Sequence, residues 1–430
     1  MSSVDGVQWS SLSNPNDNST SDSPSLAIFN NTLSCAFKAN DSSNNLYFIS
    51  STDGKNWSPT TCPGGNKTHS GPTITGALGS SLICMFRSND DGNRILQFNS
   101  LEADWMQQNI SSLGLKKLKD ICIVGSHNAG MSICKNPTEF AKPCNTVTQT
   151  LDILGQLQNG ARYFDIRPTI SGGVYRTGHY SDTRHILLRW QGSNGQSIDD
   201  IISDINTFTS GHNELVILKI WQDLQTDNHY QAFSQAEMDG LLKKLSSINY
   251  LYINTNTPGL NLTEQTVNEY IGSNRPRVLI TVEPRDNNVA LGSYDGNGFF
   301  AGSAFPLYDE YSDINQVETM ITDQIKKMRG NNNAKPFLLS WTLTQSKDQA
   351  KNCSLANILP SWIWWTVNLF SKKDSTSILE LAGTANSNLW NNKDLMSAVS
   401  KSLFPQIIYI DDVGPETGAV EMAMKMNSLP

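Results

Sequence analysis

Two histidines, His127 in ICIVGSHNAG and His179 in VYRTGHY, flank the stretch GARYFDIRP, which carries Asp165 and Arg167. Each of these residues stands where an apolar, β-branched run ends. A proton acceptor, a proton donor and a fixed cation at neighbouring strand ends are the parts needed to move a phosphoryl group without a cofactor. A lone histidine after a strand reads more simply as a loop or core residue, so the joint placement carries the inference. His69, His185, His212 and His229 lie in polar loops or near helix ends and are read as structural.

The elements that must position these groups can be read from periodicity. ICIVGSH, ARYFDIRP, VYRTGHY, ELVILKIW, RVLITVE, FLLSWTL and QIIYIDDVG are short apolar runs suited to buried parallel strands. Helical patterns lie between them: Ile198, Ile201, Ile202, Ile205 and Phe208 recur at helical spacing after the candidate cap Ser197. Leu241, Leu242 and Leu245 repeat the pattern, and QVETMITDQIKKM supplies a third case. With an eighth strand placed within FFAGSAF, the α/β region 109–430 is expected to form an irregular (β/α)8 barrel of the TIM type. Chemistry in such a barrel gathers at the C-terminal strand ends, where His127, Arg167, His179, Trp221, Glu283 and Asp411 stand.

Residues 1–108 read differently, as a small all-β domain of two tandem repeats. The stretch 23–57 recurs as 71–105, with Pro24 matching Pro72, Cys35 matching Cys84, Phe37 matching Phe86 and Trp57 matching Trp105. Alternating strands between Asn, Asp, Gly and Ser clusters predict a four-stranded antiparallel unit in each copy. The unit resembles a β-propeller blade of sialidase-like and fungal lectin repeats, and STDGKNW resembles a shortened Asp-box. Two blades cannot close a propeller, so they must pair as a sandwich, pack on the next domain or complete a ring with other chains. A packing module is the simpler role, and glycan binding the functional alternative.

Composition limits the partners. A net charge of −8, with no basic cluster denser than Lys116, Lys117 and Lys119, argues against nucleic acid and against a polybasic membrane anchor. The start MSSVDGVQWSS lacks the basic and apolar regions of a signal peptide. The expectation is a soluble protein, cytoplasmic or secreted by a non-classical route, and peripheral at membranes. Seven cysteines without a CxxC pair suggest mostly reduced thiols, with Cys122, Cys134 and Cys144 as the candidates for a single bridge. Trp362, Trp364 and Trp365, in LANILPSWIWWTVNLF, suit a rim segment that dips into the bilayer interface; a hydrophobic core helix is the alternative.

GSHNAG, GARYFDIRP and TGHY resemble the X domain of phosphatidylinositol-specific phospholipase C. The resemblance runs through GQSIDDIISDINTFTSGHNELVILKIW to LLSWTLTQ and IIYIDDVG, about residues 110–415, and leaves the repeats outside. It implies that His127 takes the proton from the inositol 2-hydroxyl, that His179 protonates the departing diacylglycerol oxygen, and that Arg167 offsets the growing phosphate charge. Asp411 or its neighbour Asp412 would orient His127, while Asn128, Asp165, Glu283 and Arg285 would contact substrate. The implied partner is phosphatidylinositol or its glycosylated form at a membrane surface. A bell-shaped pH profile around the imidazole range is then expected.

Family members divide over calcium. Asn128 matches calcium-using relatives, in which it and Asp165 would be ligands, whereas Arg167 and Trp221 stand where those relatives place carboxylates. The expectation is catalysis without a cofactor, with calcium as the alternative, and His179 lacks the Asp that accompanies it in metal-independent relatives. Two other functions compete: a different TIM-barrel phosphodiesterase acting on glycerophosphodiesters or sphingolipids, and a lectin-like binding protein whose barrel is inactive.

Overall fold

The computed structural model describes residues 18–430 apart from 30–31, 52–53, 56, 59, 63–65, 77–80, 89–92, 100–101, 184–188, 287–288, 357–375, 391, 416 and 430. The Trp362, Trp364 and Trp365 segment and His185 therefore lie outside the described residues. Among the described residues, no helix is long and apolar enough to cross a membrane. The chain divides into two compact units between Glu102 and Ala103.

In the first unit each repeat folds into an antiparallel three-stranded sheet. The first holds β1 (Ser25–Phe29), β2 (Thr32–Lys38) and β3 (Leu46–Ser51); the second holds β4 (Thr73–Gly76), β5 (Ser81–Arg87) and β6 (Asn93–Asn99). The strands match repeat for repeat, but among the described residues each sheet has three strands rather than four: beside β3 the pairing consists of isolated bridges from Thr61 to Phe48 and from Lys67 to Asn45, with the Ser58 N–H donating to the Ser50 carbonyl at 2.8 Å. Ala36, Leu46, Phe48, Ile74, Cys84 and Phe86, from both copies, share one core. Among the described residues of STDGKNW, Gly54 has a φ of 69°, which suits glycine, and its N–H donates to Ser51 Oγ at 2.8 Å.

The boundary falls earlier than the repeat suggests. Trp105, which closes the second copy in sequence, is buried in the core of the second unit, where its indole N–H donates to the Gly160 carbonyl at 3.1 Å. Sequence copies mark where a repeat ends, but burial decides which unit owns its last residues.

The second unit is mixed α/β. Its central sheet contains β7 (Ile123–Ser126), β8 (Ala161–Ile166), β12 (Leu215–Trp221), β14 (Arg277–Glu283), β15 (Phe299–Ala301), β16 (Leu338–Trp341) and β17 (Ile407–Ile410). All seven run parallel, in the order β15-β14-β12-β8-β7-β17-β16. A closed eight-stranded ring is not formed: among the described residues no ladder joins β15 to β16. Past β15 the chain leaves through a short 3₁₀ turn, Gly302–Ala304, and Pro306 removes a donor. Beyond that proline a single parallel bridge pairs Tyr308 with Phe337, and the Leu338 N–H donates to the Tyr308 carbonyl at 2.9 Å.

VYRTGHY departs from expectation too. It forms β10 (Val174–Asp182), antiparallel to β9 (Pro168–Ser171) and β11 (Trp190–Ser197), in a separate sheet of order β11-β10-β9-β13, where β13 is Leu224–Gln225. Along β10 the central Thr177 and Gly178 are buried, while Val174 at one end and Ser181 and Asp182 at the other are exposed. Ser197 caps the helix Ile198–Gly211, accepting from the Asp200 N–H, and the five periodic apolar residues of that helix are buried. Cys144 is bridged to Cys353, 209 residues away, while Cys35, Cys62, Cys84, Cys122 and Cys134 are free thiols.

Candidate active site

Parallel strands in register bring their exits side by side. β7 and β17 are neighbours, and the His127 N–H continues the ladder by donating to the Ile410 carbonyl at 2.9 Å. The next residue on β17 is Asp411, whose Oδ1 lies 2.7 Å from His127 Nδ1. Asp412 turns away: its φ is 53°, and its carboxylate accepts from the Thr150 N–H at 3.1 Å and hydroxyl at 2.6 Å. The Gln149 side chain secures the pair, donating to the His127 carbonyl at 2.9 Å and accepting from the Val413 N–H at 2.8 Å.

Period-two alternation places Tyr163 and Asp165 on one face of β8, with Arg167 just beyond its end. Arg167 Nη2 lies 2.9 Å from His127 Nε2. Guanidinium can only donate, so Nε2 is the acceptor and Nδ1 carries the proton given to Asp411. Arg167 also donates to Asp165 Oδ2 at 2.8 Å, and its guanidinium lies 5.0 Å from the Trp221 ring centroid. Burial alone would push the Asp165 carboxyl up, but the Arg167 charge beside it holds it well below the usual carboxylate range. The same pairing outweighs burial at Arg167 and keeps its guanidinium charged.

His179 approaches from the side sheet. Its Nδ1 lies 3.1 Å from the Thr146 carbonyl, which can only accept, so Nδ1 bears the proton and Nε2 is free for the cavity. Burial, followed by the nearby Arg167 and His127, pulls its pKa down to about 4. The ring is therefore neutral at pH 7 in the free protein. A bound phosphodiester anion would offset the Arg167 charge and raise that value, so His179 ring resonances are expected to titrate near 4 alone and at higher pH with an inositol phosphonate. An NMR titration showing no upward movement would remove His179 as a proton donor. Its effect on stability has a definite sign: the unfolded chain binds the proton first, so lowering pH from 6.5 towards 4 weakens folding through this ring.

His127, Arg167, His179, Trp221, Tyr311 and Asp411 line one cavity of about 440 Å³, whose wall also includes the apolar Leu343, Ala350 and Ile378. Asn128 and Asp165, expected as substrate contacts, are each 1% exposed and lie outside this lining. Glu283 is held 3.2 Å from Lys219 Nζ and is also outside it; Arg285 lines an adjoining cleft, over the Trp190 ring. Tyr311 and Tyr409 join the site without a motif to announce them. Their hydroxyls meet at 3.1 Å, and Tyr409 donates to Asp165 Oδ2 at 2.6 Å. Alternation could have found Tyr409, which precedes Asp411 by two and shares its face; Tyr311 lies on an irregular segment without such a signal.

The donor set does not fit calcium. Asp165 accepts from Arg167, the Trp221 indole N–H, the Tyr409 hydroxyl and the Asn128 N–H, so its lone pairs are already engaged. Among the described residues neither polar atom of the buried Asn128 side chain has a partner, yet one amide oxygen falls far short of the six to eight that calcium takes. The Arg167 cation stands beside Asp165, the carboxylate that would have to assist it.

No family model matches the chain, and no curated protein matches it. Among solved structures it is similar to a pentafluoro-phenylalanine variant of phosphatidylinositol-specific phospholipase C from Staphylococcus aureus, at 14% identity and a TM-score of 0.49, covering 75% of this chain and 97% of that one. It is also similar to the phosphatidylinositol-specific phospholipase C from Listeria monocytogenes, at 16% identity and a TM-score of 0.49, with 76% and 99% covered.

Proposed function

We propose that this chain is a metal-independent phosphodiesterase of the lyase type, acting on phosphatidylinositol lipids at a membrane surface. One observation carries the reading: His127, oriented by Asp411, and His179, oriented by Thr146, share a single cavity with Arg167 between the acid–base pair and a buried carboxylate. His127 Nε2 takes the proton of the inositol 2-hydroxyl as that oxygen attacks phosphorus. The P–O bond to diacylglycerol breaks, and the departing oxygen takes a proton from His179 Nε2. Arg167, released from His127 Nε2 by the entering phosphate, faces the charge that grows on its oxygens. Asp411 stabilises the imidazolium without itself taking the proton. The apolar wall suits the glycerol end of the lipid, and the Trp362, Trp364 and Trp365 segment remains the candidate membrane contact. Sugar binding by the N-terminal repeats stays a separate proposal.

Vesicles of single lipids, with and without chelator, test this reading. Cyclic inositol phosphate is expected from phosphatidylinositol in both conditions at equal rates. Turnover of another head group only with metal present would favour a glycerophosphodiester or sphingolipid enzyme, and binding without turnover an inactive barrel.

A further inference from the structure

Among the described residues the His179 ring has one hydrogen-bond partner, the carbonyl of Thr146, and no carboxylate orients it. That carbonyl ends a single helical turn, Pro143–Thr146, too short to persist as an isolated helix and held locally by the Lys142 N–H donating to Asn145 Oδ1 and the Thr146 hydroxyl donating to the Lys142 carbonyl, each at 2.7 Å. Cys144 lies inside this turn and is joined to Cys353, which is 2% exposed on the helix Lys347–Ala356. A second tie runs parallel to the first: Gln345 Nε2 donates to the Cys144 carbonyl at 3.1 Å and to the Thr376 carbonyl at 2.7 Å. Asn145, Thr146, Gln345 and Ala350 line the same cavity as His179, so the crosslink braces its wall.

We propose that the Cys144–Cys353 disulfide is a positioning device for His179, making proton donation to the leaving oxygen dependent on the bridge being oxidised. The inference rests on the lyase reading above for its consequence, though not for its geometry. A dithiol opens the bridge by passing two electrons and two protons: the S–S bond breaks, both cysteines become thiols, and the reductant closes its own disulfide. The turn then loses its covalent tie to the helix, and the Thr146 carbonyl no longer fixes which ring nitrogen carries the proton. A misplacement of about 1 Å at a catalytic group can cost roughly 100-fold in rate. The result is an enzyme whose acid step is switched by the redox state of its surroundings.

The test compares two soluble inositol phosphodiesters on the full chain, one with an alkyl leaving group and one with a nitrophenyl leaving group that departs without a proton. Dithiothreitol is expected to lower turnover of the alkyl ester about 100-fold and of the aryl ester by less than about threefold. The pair Cys144→Ser and Cys353→Ser should reproduce the reduced behaviour and be insensitive to the dithiol. Equal losses on both esters, or no loss on the alkyl ester, would overturn the proposal. The His179 imidazole nitrogen resonances give a readout that needs no turnover: the Nδ1–H form should dominate in the oxidised protein and lose that dominance on reduction. An unchanged pattern overturns the positioning role even in a protein that cleaves neither ester, whereas an inactive oxidised protein with the expected pattern removes only the lyase reading.

Discussion

Asp411→Asn is expected to lower turnover by about 10⁴-fold while leaving the fold intact, as loss of the orienting carboxylate does in other histidine-based relays. The reason lies in the tautomer. Asp411 accepts from Nδ1 at 2.7 Å, which keeps the lone pair on Nε2, where Arg167 Nη2 meets it at 2.9 Å in the free site. An amide in place of the carboxylate can donate to Nδ1 and so move the ring proton to Nε2, which then cannot accept from a hydroxyl. It also removes the charge that stabilises the imidazolium. Asp412→Asn is the matched control, because that carboxylate holds Thr150 and does not touch His127. Its activity should stay within about threefold of the parent. Steady-state rates of both variants decide the matter, and a similar fall in each would mean that the loop as a whole, not the tautomer, is responsible.

The second large effect concerns stability. Arg162→Met is expected to destabilise the second unit by about 3–5 kcal/mol, read as a lowered denaturant midpoint. Arg162 and Glu214 have fully buried side chains, with Nε and Oε2 at 2.8 Å. Arg162 also donates to the carbonyls of Leu157, Ala161 and Ala103, and Glu214 accepts from the N–H groups of Met106 and Gln107. The pair thus ties the entry segment of the unit to β8 and β12, and removing the cation strands a carboxylate in the interior. Burial already raises the Glu214 pKa despite the Arg162 charge that opposes it. Without Arg162 it rises further, so the native state binds the proton more tightly than the unfolded chain. The deficit should therefore shrink as pH falls from 7 towards 5, and a deficit independent of pH would contradict the buried-charge explanation.

Whatever depends on short-range pattern was legible in the order of residues. Helix Ile198–Gly211 with its Ser197 cap, the paired strands of the two repeats, and the strand-end positions of His127, Arg167 and Asp411 are all local consequences of periodicity and capping. Whatever depends on partners distant along the chain was settled by packing. The choice between Asp411 and Asp412 rests on which carboxylate faces a histidine on the neighbouring strand, and adjacent residues of one chemical type carry no signal of that. His179 is oriented by a backbone carbonyl, a group every residue possesses. β10 looks like a core strand but pairs antiparallel in the side sheet, because apolar content does not specify which edge a strand joins. The Cys144–Cys353 bridge spans 209 residues, and Arg162 finds Glu214 across two strands, so both depend on how the chain returns upon itself. Pattern placed the chemistry at the strand ends, and packing assigned each group its partner.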